Sequence, residues 1–188
     1  MLLSIGHPVI RTVIRTEEWR AWLYRKSALT TGLRTTATWG RGAAWSATFL
    51  TWLAQGPGLR WIDIGCGNGA FTEQIVERCA PAEVQGVDPS EAQLVFARSR
   101  PAARLATFQK GDAMALPFPD ARFDVAVMAL VIFFVPEPAK GVAEMARVVR
   151  PGGLVAAYAW DILGGGFTLE PLQAELRRFP CSYVSGGF

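Results

Sequence analysis

The chain has 188 residues, 51% of them hydrophobic and 19% charged, which predicts one folded domain and argues against disorder over most of the length. Three irregularly spaced cysteines and one histidine argue against a disulfide framework and a metal site and indicate a cytoplasmic protein, and no apolar run is long enough to predict a membrane span. The net charge of +3 is uneven, since residues 1–60 hold eight Lys/Arg and two Asp/Glu, but a basic segment alone is too weak a signal to predict a nucleic-acid partner.

Residues 1–58 are predicted to form a basic, tryptophan-rich N-terminal extension with helical segments. Helices are expected at residues 17–26 and 44–53, because tryptophan and other apolar side chains recur there at helical spacing. The Gly-Pro-Gly sequence at residues 56–58 ends the second of these helices and marks the start of the main domain, residues 59–188.

From residue 59 onward, strand-like and helix-like segments alternate. Strands are predicted at residues 59–64, 84–87, 106–109, 123–128 and 154–160, and helices at 70–79, from the cap Ser90 to about residue 99, at 138–149 and at 169–179. Repeated β-α units predict parallel strands in a doubly wound α/β sheet, with helices on both faces.

A glycine-rich turn follows the first predicted strand of the main domain. In doubly wound sheets, ligands bind beyond the carboxyl ends of the strands. Gly65 and Gly67 would allow unusual backbone angles and close approach of a ligand, and Gly69 would let the next helix pack closely. Asp63 lies two residues before the first of these glycines.

Three further groups follow the other strands. Asp88 ends the second strand, where a carboxylate can accept hydrogen bonds from both hydroxyls of a ribose. Asp112 follows the third strand and could accept from an exocyclic amine, while Ala129 and Leu130 form a small apolar group after the fourth. Together these positions predict a pocket for an adenosine-bearing ligand.

The glycine spacing separates two classes of nucleotide ligand. A dinucleotide fingerprint is Gly-x-Gly-x-x-Gly, whose helix N-terminus meets a pyrophosphate, whereas this chain has Gly-x-Gly-x-Gly at residues 65–69. Asp63 would repel phosphate groups but could hold an ammonium group, directly or through water. A ligand with adenine, ribose and an ammonium group but no phosphate is S-adenosylmethionine.

With these motifs in order, the chain resembles the class I S-adenosylmethionine-dependent methyltransferases, in the broad branch that includes quinone-biosynthesis methyltransferases. The resemblance covers residues 59–160 and rests on four motifs, at residues 61–69, 86–90, 111–118 and 150–153. It implies a Rossmann-like methyltransferase fold and S-adenosyl-L-methionine as cofactor. Asp63 and the glycine turn would hold the methionine part, Asp88 the ribose, and Asp112 with the Ala113 backbone the adenine. The implied cofactor contacts are Asp63, Gly65, Cys66, Gly67, Gly69, Asp88, Pro89, Asp112, Ala113, Met114, Ala129 and Leu130.

No catalytic residue is identified. Many relatives carry a histidine just after the fourth strand, but residues 131–135 contain none, and Tyr158 and Asp161 are weaker substitutes. We therefore expect alignment-driven methyl transfer to an unidentified, apolar small molecule. Two alternatives stay open, a non-catalytic S-adenosylmethionine-binding fold or partner subunit and, more remotely, a nicotinamide-dependent oxidoreductase.

The C-terminal part departs from the family pattern. Only 28 residues follow Trp160, where the family sheet closes with two further strands, so at most one short strand near residues 182–184 is expected. The sheet would then lack part of its antiparallel end. An open edge beside the strand at residues 154–160 would be left, and two chains could form a homodimer through it.

Overall fold

The computed structural model describes residues 9–15 and 42–160. The strands in these ranges are β1 (Val9–Arg15), β2 (Arg60–Ile64), β3 (Glu83–Asp88), β4 (Ala106–Lys110), β5 (Phe123–Ala129) and β6 (Val149–Trp160). The helices are α1 (Gly42–Leu53), α2 (Ala70–Cys79), α3 (Glu91–Ser99) and α4 (Pro138–Val148), with short 3-10 turns at Pro101–Leu105 and Ile132–Phe134.

The strands form one sheet in the order β1-β6-β5-β2-β3-β4. Strands β2 to β6 are parallel to one another, and β1 is antiparallel to β6. The strand order reverses between β2 and β5, because the chain runs outward from β2 to β4 and then returns to β5 on the other side of β2. The predicted doubly wound, mostly parallel sheet is confirmed, and its switch point lies at β2 and β5.

The N-terminal strand corrects one expectation. Strand β1 pairs with the outer edge of β6 over residues 154–160, from Val9 opposite Trp160 to Arg15 opposite Leu154. The prediction of an open edge beside β6 is therefore wrong, and with it the reason for a homodimer there. This strand was not predicted, although residues 9–15 are rich in β-branched residues, which favour strands.

Alternation along β2 sends its side chains to two apolar cores. Trp61 packs on the face covered by α1 and α2, with Phe49 and Phe71, while Ile62 and Ile64 pack on the face covered by α4. All three β2 side chains have no exposed area. Burial on both faces explains why these strands read as continuous apolar runs.

Most predicted elements are confirmed to within a few residues. Helix α2 has the predicted bounds, and Ser90 caps α3 by accepting a hydrogen bond from the Gln93 N–H group. Strand β6 begins at Val149, earlier than expected, because a register shift against β5 takes the Arg-Pro-Gly-Gly motif into the strand. The predicted helices at residues 17–26 and 169–179 and the strand at 182–184 lie outside the described residues. The domain boundary at residue 58 stays a prediction.

Candidate functional site

One cavity of about 400 Å³ lies at the carboxyl ends of the parallel strands β2 to β5. Its walls come from the turns that follow these strands, as expected for a sheet of this topology. The cavity brings together seven of the predicted contact residues, which are Gly65, Gly67, Asp88, Pro89, Asp112, Ala113 and Leu130. The other five, Asp63, Cys66, Gly69, Met114 and Ala129, are not part of its lining.

The glycine turn curls back over the end of β3. The N–H groups of Gly65 and Cys66 both donate to the Val87 carbonyl oxygen, at 2.7 and 3.0 Å. Gly65 has a φ of +72°, and a Cβ atom there would overlap the Val131 side chain. A side chain at this position would therefore be strained by the backbone and also blocked by Val131, in the turn after β5.

Gly69 has a different role from Gly65. It has a φ of +78°, and a Cβ atom there would lie 3.0 Å from the Ala97 Cβ atom of α3. Its small size therefore lets α2 begin close to α3 and does not open the cavity. This is a helix-packing role, which the alternating glycine pattern does not distinguish from ligand contact.

Asp88 is held in place by two backbone donors. Its Oδ2 atom accepts from the Gly67 N–H group at 2.9 Å, and its Oδ1 atom accepts from the Ser90 N–H group at 2.8 Å. The residue is 8% exposed and lines the cavity. Since a carboxylate oxygen accepts two hydrogen bonds, each oxygen keeps an acceptor position. The carboxylate can thus receive a pair of neighbouring hydroxyl groups.

The turn after β4 presents a second carboxylate. Asp112 Oδ1 accepts from the Met114 N–H group at 2.8 Å, and the Asp112 carbonyl accepts from the Ala115 N–H group at 3.0 Å. This tight turn sets the local shape around Asp112 and Ala113, which line the cavity, whereas Met114 is not part of the lining. The Asp112 carboxylate is exposed and available to a donor group.

The turn after β5 forms the apolar wall. Leu130 lies in the left-handed region, with a φ of +62°, and its N–H group donates to the Tyr158 carbonyl at 2.9 Å. A leucine in this conformation is strained, which often marks a functional turn. Phe134, which is 75% exposed, also lines the cavity, and the Phe133 ring lies beside it at 4.5 Å between centroids.

Asp63 lies beneath the glycine turn and not in the cavity. It has no exposed area, and its Oδ2 atom accepts from the Thr72 hydroxyl at 2.6 Å. Its Oδ1 atom is buried and has no hydrogen-bond partner among the described residues. Burial, together with the nearby Asp88 carboxylate, raises the pKa of Asp63 to about 7 although the Thr72 hydrogen bond opposes the shift. Near neutral pH, Asp63 is thus poised between its two charge states.

The side chain of Cys66 is not suited to nucleophilic chemistry. Burial and the neighbouring carboxylates of Asp63 and Asp88 raise the pKa of its thiol well above the usual range. A thiol that stays protonated is a poor nucleophile. The Cys66 backbone bonds to the end of β3, and its thiol donates to the Gly67 carbonyl oxygen at 3.8 Å, so both contribute to the shape of the turn.

The two suggested substitutes for a catalytic histidine do not supply a base in the described cavity. Tyr158 is 3% exposed, contacts the Ser46 hydroxyl at 3.0 Å and is not part of the cavity lining. Burial raises the pKa of Tyr158 to about 12, which disfavours its ionised form. Asp161 lies outside the described residues.

Sequence reasoning missed several lining residues. Gln93, in the first turn of α3, lines the cavity, as do Val131 and Pro136 in the turn after β5. Gln93 could have been found from its position three residues after the Ser90 cap, since the first turn of such a helix faces the ligand edge of the sheet. No local pattern marks the turn after β5, whose path depends on packing.

Two further kinds of feature are absent from residues 9–15 and 42–160. No helix there has both the length and the apolar character that a bilayer crossing requires. That part of the chain also contains no group of three or more His, Cys, Asp or Glu side chains arranged to hold a metal ion.

The region that forms this cavity matches a known protein family. Residues 62–157, just over half of the chain, match the family described as "Methyltransferase domain". A solved structure, an S-adenosylmethionine-dependent methyltransferase from Mesorhizobium loti, is 29% identical with a TM-score of 0.54. The match covers 62% of this chain and 55% of that one.

Two curated relatives are similar over the same region. The 2-methyl-6-phytyl-1,4-hydroquinone methyltransferase 2, chloroplastic, of Oryza sativa subsp. japonica is 43% identical, over 51% of this chain and 28% of its own length. The demethylmenaquinone methyltransferase of Deinococcus radiodurans is 37% identical, over 61% of this chain and 46% of its own length. The chain thus spans less than half of either relative.

Proposed function

The chain belongs to the class I S-adenosylmethionine-dependent methyltransferases, and from this premise we propose that it methylates an apolar, quinol-type small molecule. The observation that carries the proposal is the shared cavity of the glycine turn, Asp88 and Asp112, beside an apolar wall that ends in Phe134. The cavity offers carboxylates for hydroxyl and amine donors on one side. On the other side it offers a surface for an apolar ring.

The residues of the cavity fit S-adenosylmethionine. Asp88 has two remaining acceptor positions for the ribose hydroxyls, and Asp112 presents a carboxylate to the exocyclic amine of adenine. Gly65 and Gly67 leave backbone surface open to the amino-acid end. When bound, this cofactor supplies a methyl group on a sulfonium, a carbon already activated for in-line displacement.

Asp63 would act on the cofactor from below the glycine turn. Its buried Oδ1 atom has no hydrogen-bond partner among the described residues, and burial makes its charge costly. A positively charged ammonium group bound above the turn would stabilise the ionised carboxylate, through the short-range field or a bridging water. Of the direct and the water-mediated contacts that the sequence left open, the burial of Asp63 favours the indirect one.

The chain's own residues would promote transfer by alignment. Of the side chains that line the described cavity, only Asp88 and Asp112 are ionisable, and both are proposed to bind the cofactor. Leu130, Val131 and Phe134 would exclude water and orient the acceptor. An electron pair of the electron-rich quinol would form the bond to the methyl carbon as the carbon–sulfur bond breaks, and the proton that the acceptor then loses would pass to bulk water, since no lining side chain is assigned as a base. The names of both curated relatives, which refer to a hydroquinone and to demethylmenaquinone, support this acceptor class.

A direct test combines binding with transfer. The protein is incubated with S-adenosylmethionine and a panel of reduced, short-chain quinols, and mass spectrometry detects a product with one added methyl group. Binding of S-adenosylhomocysteine is measured in parallel by calorimetry. Binding without transfer to any quinol would contradict the proposed acceptor and favour a non-catalytic cofactor-binding fold.

Phe134 and Phe96 provide a matched pair for the acceptor wall. Both are exposed, at 75% and 65%, but only Phe134 lines the cavity. Loss of its contact with an apolar acceptor should cost about 1 kcal/mol, or about fivefold in KM, in Phe134→Ala. Phe96→Ala should leave KM unchanged. Equal effects of the two substitutions would place the acceptor elsewhere.

A further inference from the structure

The turn after β4 continues into a segment, residues 111–121, that leads to β5. At its start the Gly111 N–H group donates to the Asp88 carbonyl at 3.2 Å, and the tight turn at Asp112 follows. These bonds set the local shape of the segment. They do not set how far the Asp112 carboxylate stands from the opposite cavity wall, which depends on where the rest of the segment is held.

Arg147, on α4, holds the middle of this segment. Its Nη2 atom donates to the Leu116 carbonyl at 3.0 Å, and its Nη1 atom donates to the Phe118 carbonyl and to Asp120 Oδ1, both at 2.8 Å. Its own carbonyl accepts from the Ala121 N–H group at 2.9 Å. One side chain therefore spans the segment from residue 116 to residue 120. The planar fork of an arginine is suited to this, whereas lysine has a single point of charge.

Glu144, almost one helical turn earlier, fixes the direction of the guanidinium group. It accepts from Arg147 Nε and Nη2 through separate oxygens, each at 2.7 Å, and its Oε2 atom also accepts from the Leu116 N–H group at 2.7 Å. The Arg147 hydrogen bonds lower the pKa of Glu144 despite partial burial, so the pair stays charged near neutral pH. Both polar groups of the Leu116 backbone are thus held by α4.

Leu116 connects this network to the cavity. It is 5% exposed and packs in the same core cluster as Ile64 and Val87, which line the cavity. Helix α4 also approaches the cavity directly, because a Cβ atom on Gly141 would lie 3.2 Å from Val135 and 3.9 Å from the Ala113 carbonyl oxygen. The helix therefore supports the turn after β4, which includes Asp112, as well as the turn after β5, which includes Val135.

We propose that Arg147 and Glu144 are positioning residues that set the base selectivity of the cofactor site. They do so by holding residues 111–121 where Asp112 can meet the exocyclic amine of adenine. This rests on the proposed function, since it assumes that Asp112 reads the base. Without the two residues, the ribose contact at Asp88 would persist, but the site would discriminate poorly between adenine and other bases.

Base selectivity is measured as the ratio of two dissociation constants. Calorimetry compares S-adenosylhomocysteine with S-inosylhomocysteine, which carries a carbonyl oxygen in place of the exocyclic amine. We expect the unmodified protein to prefer the adenosyl ligand at least about tenfold, because the inosyl oxygen would face a carboxylate. Arg147→Met should reduce this ratio to near one, mainly by weakening the adenosyl ligand. Hydrogen exchange of the Leu116 amide should become faster in that variant.

Asp120→Asn is the matched control. It removes only the charge of Asp120, whose side chain is 78% exposed. The hydrogen bonds from Arg147 to the Leu116 and Phe118 carbonyls stay in place. The ratio should be unchanged. If Arg147→Met does not fold, Arg147→Lys keeps the charge without the fork and should also lose most of the selectivity.

The binding results distinguish failure of the proposed role of Arg147 from failure of the proposed function. If an Arg147 variant weakens both ligands by the same factor, or neither, its role is structural only and the inference is wrong. If the unmodified protein binds both ligands equally, Asp112 does not read the base and the inference also fails, although cofactor binding stands. If the unmodified protein binds neither ligand, the proposed function fails with it.

Discussion

Substitution of Asp63 by asparagine tests whether ionisation of this buried carboxylate makes the stability of the folded protein depend on pH. Asparagine has nearly the same shape and keeps an acceptor for the Thr72 hydroxyl, but it cannot ionise. The pKa of Asp63 is raised from 3.8 to about 7, chiefly by burial. Such a shift corresponds to about 4 kcal/mol of lost folding free energy once the group is fully ionised.

The sign of the pH dependence follows from this shift. Because the folded-state pKa lies above the unfolded value, the folded protein binds the proton more tightly, so stability falls as pH rises from about 4 to about 7. Between pH 5.5 and pH 8.5, the same two pKa values give a loss of about 2 kcal/mol, which Asp63→Asn should not show. Urea unfolding of both proteins at the two pH values measures the difference.

Asp124→Asn is the control for a generic effect of removing an acid. Although burial opposes it, hydrogen bonds from Arg60 and Arg150 lower the pKa of Asp124 to about 2. Loss of this ionised partner should destabilise the protein at both pH values. If Asp63→Asn behaves like Asp124→Asn, or if its stability changes with pH as much as that of the unmodified protein, the reasoning about Asp63 is refuted.

Three further substitutions test the geometry of the site. Gly65→Ala should abolish measurable S-adenosylhomocysteine binding by calorimetry, because the new methyl group overlaps Val131 in a strained backbone; unchanged affinity would contradict the path of the turn. Asp88→Asn should weaken the same binding at least about tenfold, since one of its two acceptor oxygens becomes an amide donor, and retained affinity would place the ribose elsewhere. Tyr158→Phe removes a contact with Ser46 and should lower the thermal midpoint by about 2–4 °C with unchanged affinity, whereas loss of affinity would give Tyr158 a part in the site.

The ligand edge of the sheet could be predicted because its signals are local. Asp88 was expected at the end of a strand and lies there, and Gly65 was expected in a turn that needs unusual backbone angles and has a φ of +72°. Each of these features depends on a few neighbouring residues. Their order along the chain, combined with the handedness of β-α units, is enough to bring them to one edge.

Features that depend on distant packing could not be predicted in the same way. Strand β1 pairs with residues 139 to 151 positions later, and nothing local specifies that partner. Asp63 was expected to face the ligand, but alternation along β2 puts it on the same face as Trp61, beneath α2. That alternation could have been read from the sequence. The span of the Arg147 side chain across residues 116–120 could not, because it depends on how α4 packs against a segment without regular structure.

Calorimetric titration of the unmodified protein tests the central claim, that the cavity binds S-adenosylmethionine. Three ligands are compared under identical conditions: S-adenosylmethionine, S-adenosylhomocysteine and NAD. We predict saturable binding of both sulfur ligands at one site and no binding of NAD, whose pyrophosphate would face the glycine turn above the Asp63 carboxylate. Absence of binding heat with both sulfur ligands, or preferential binding of NAD, would contradict the account.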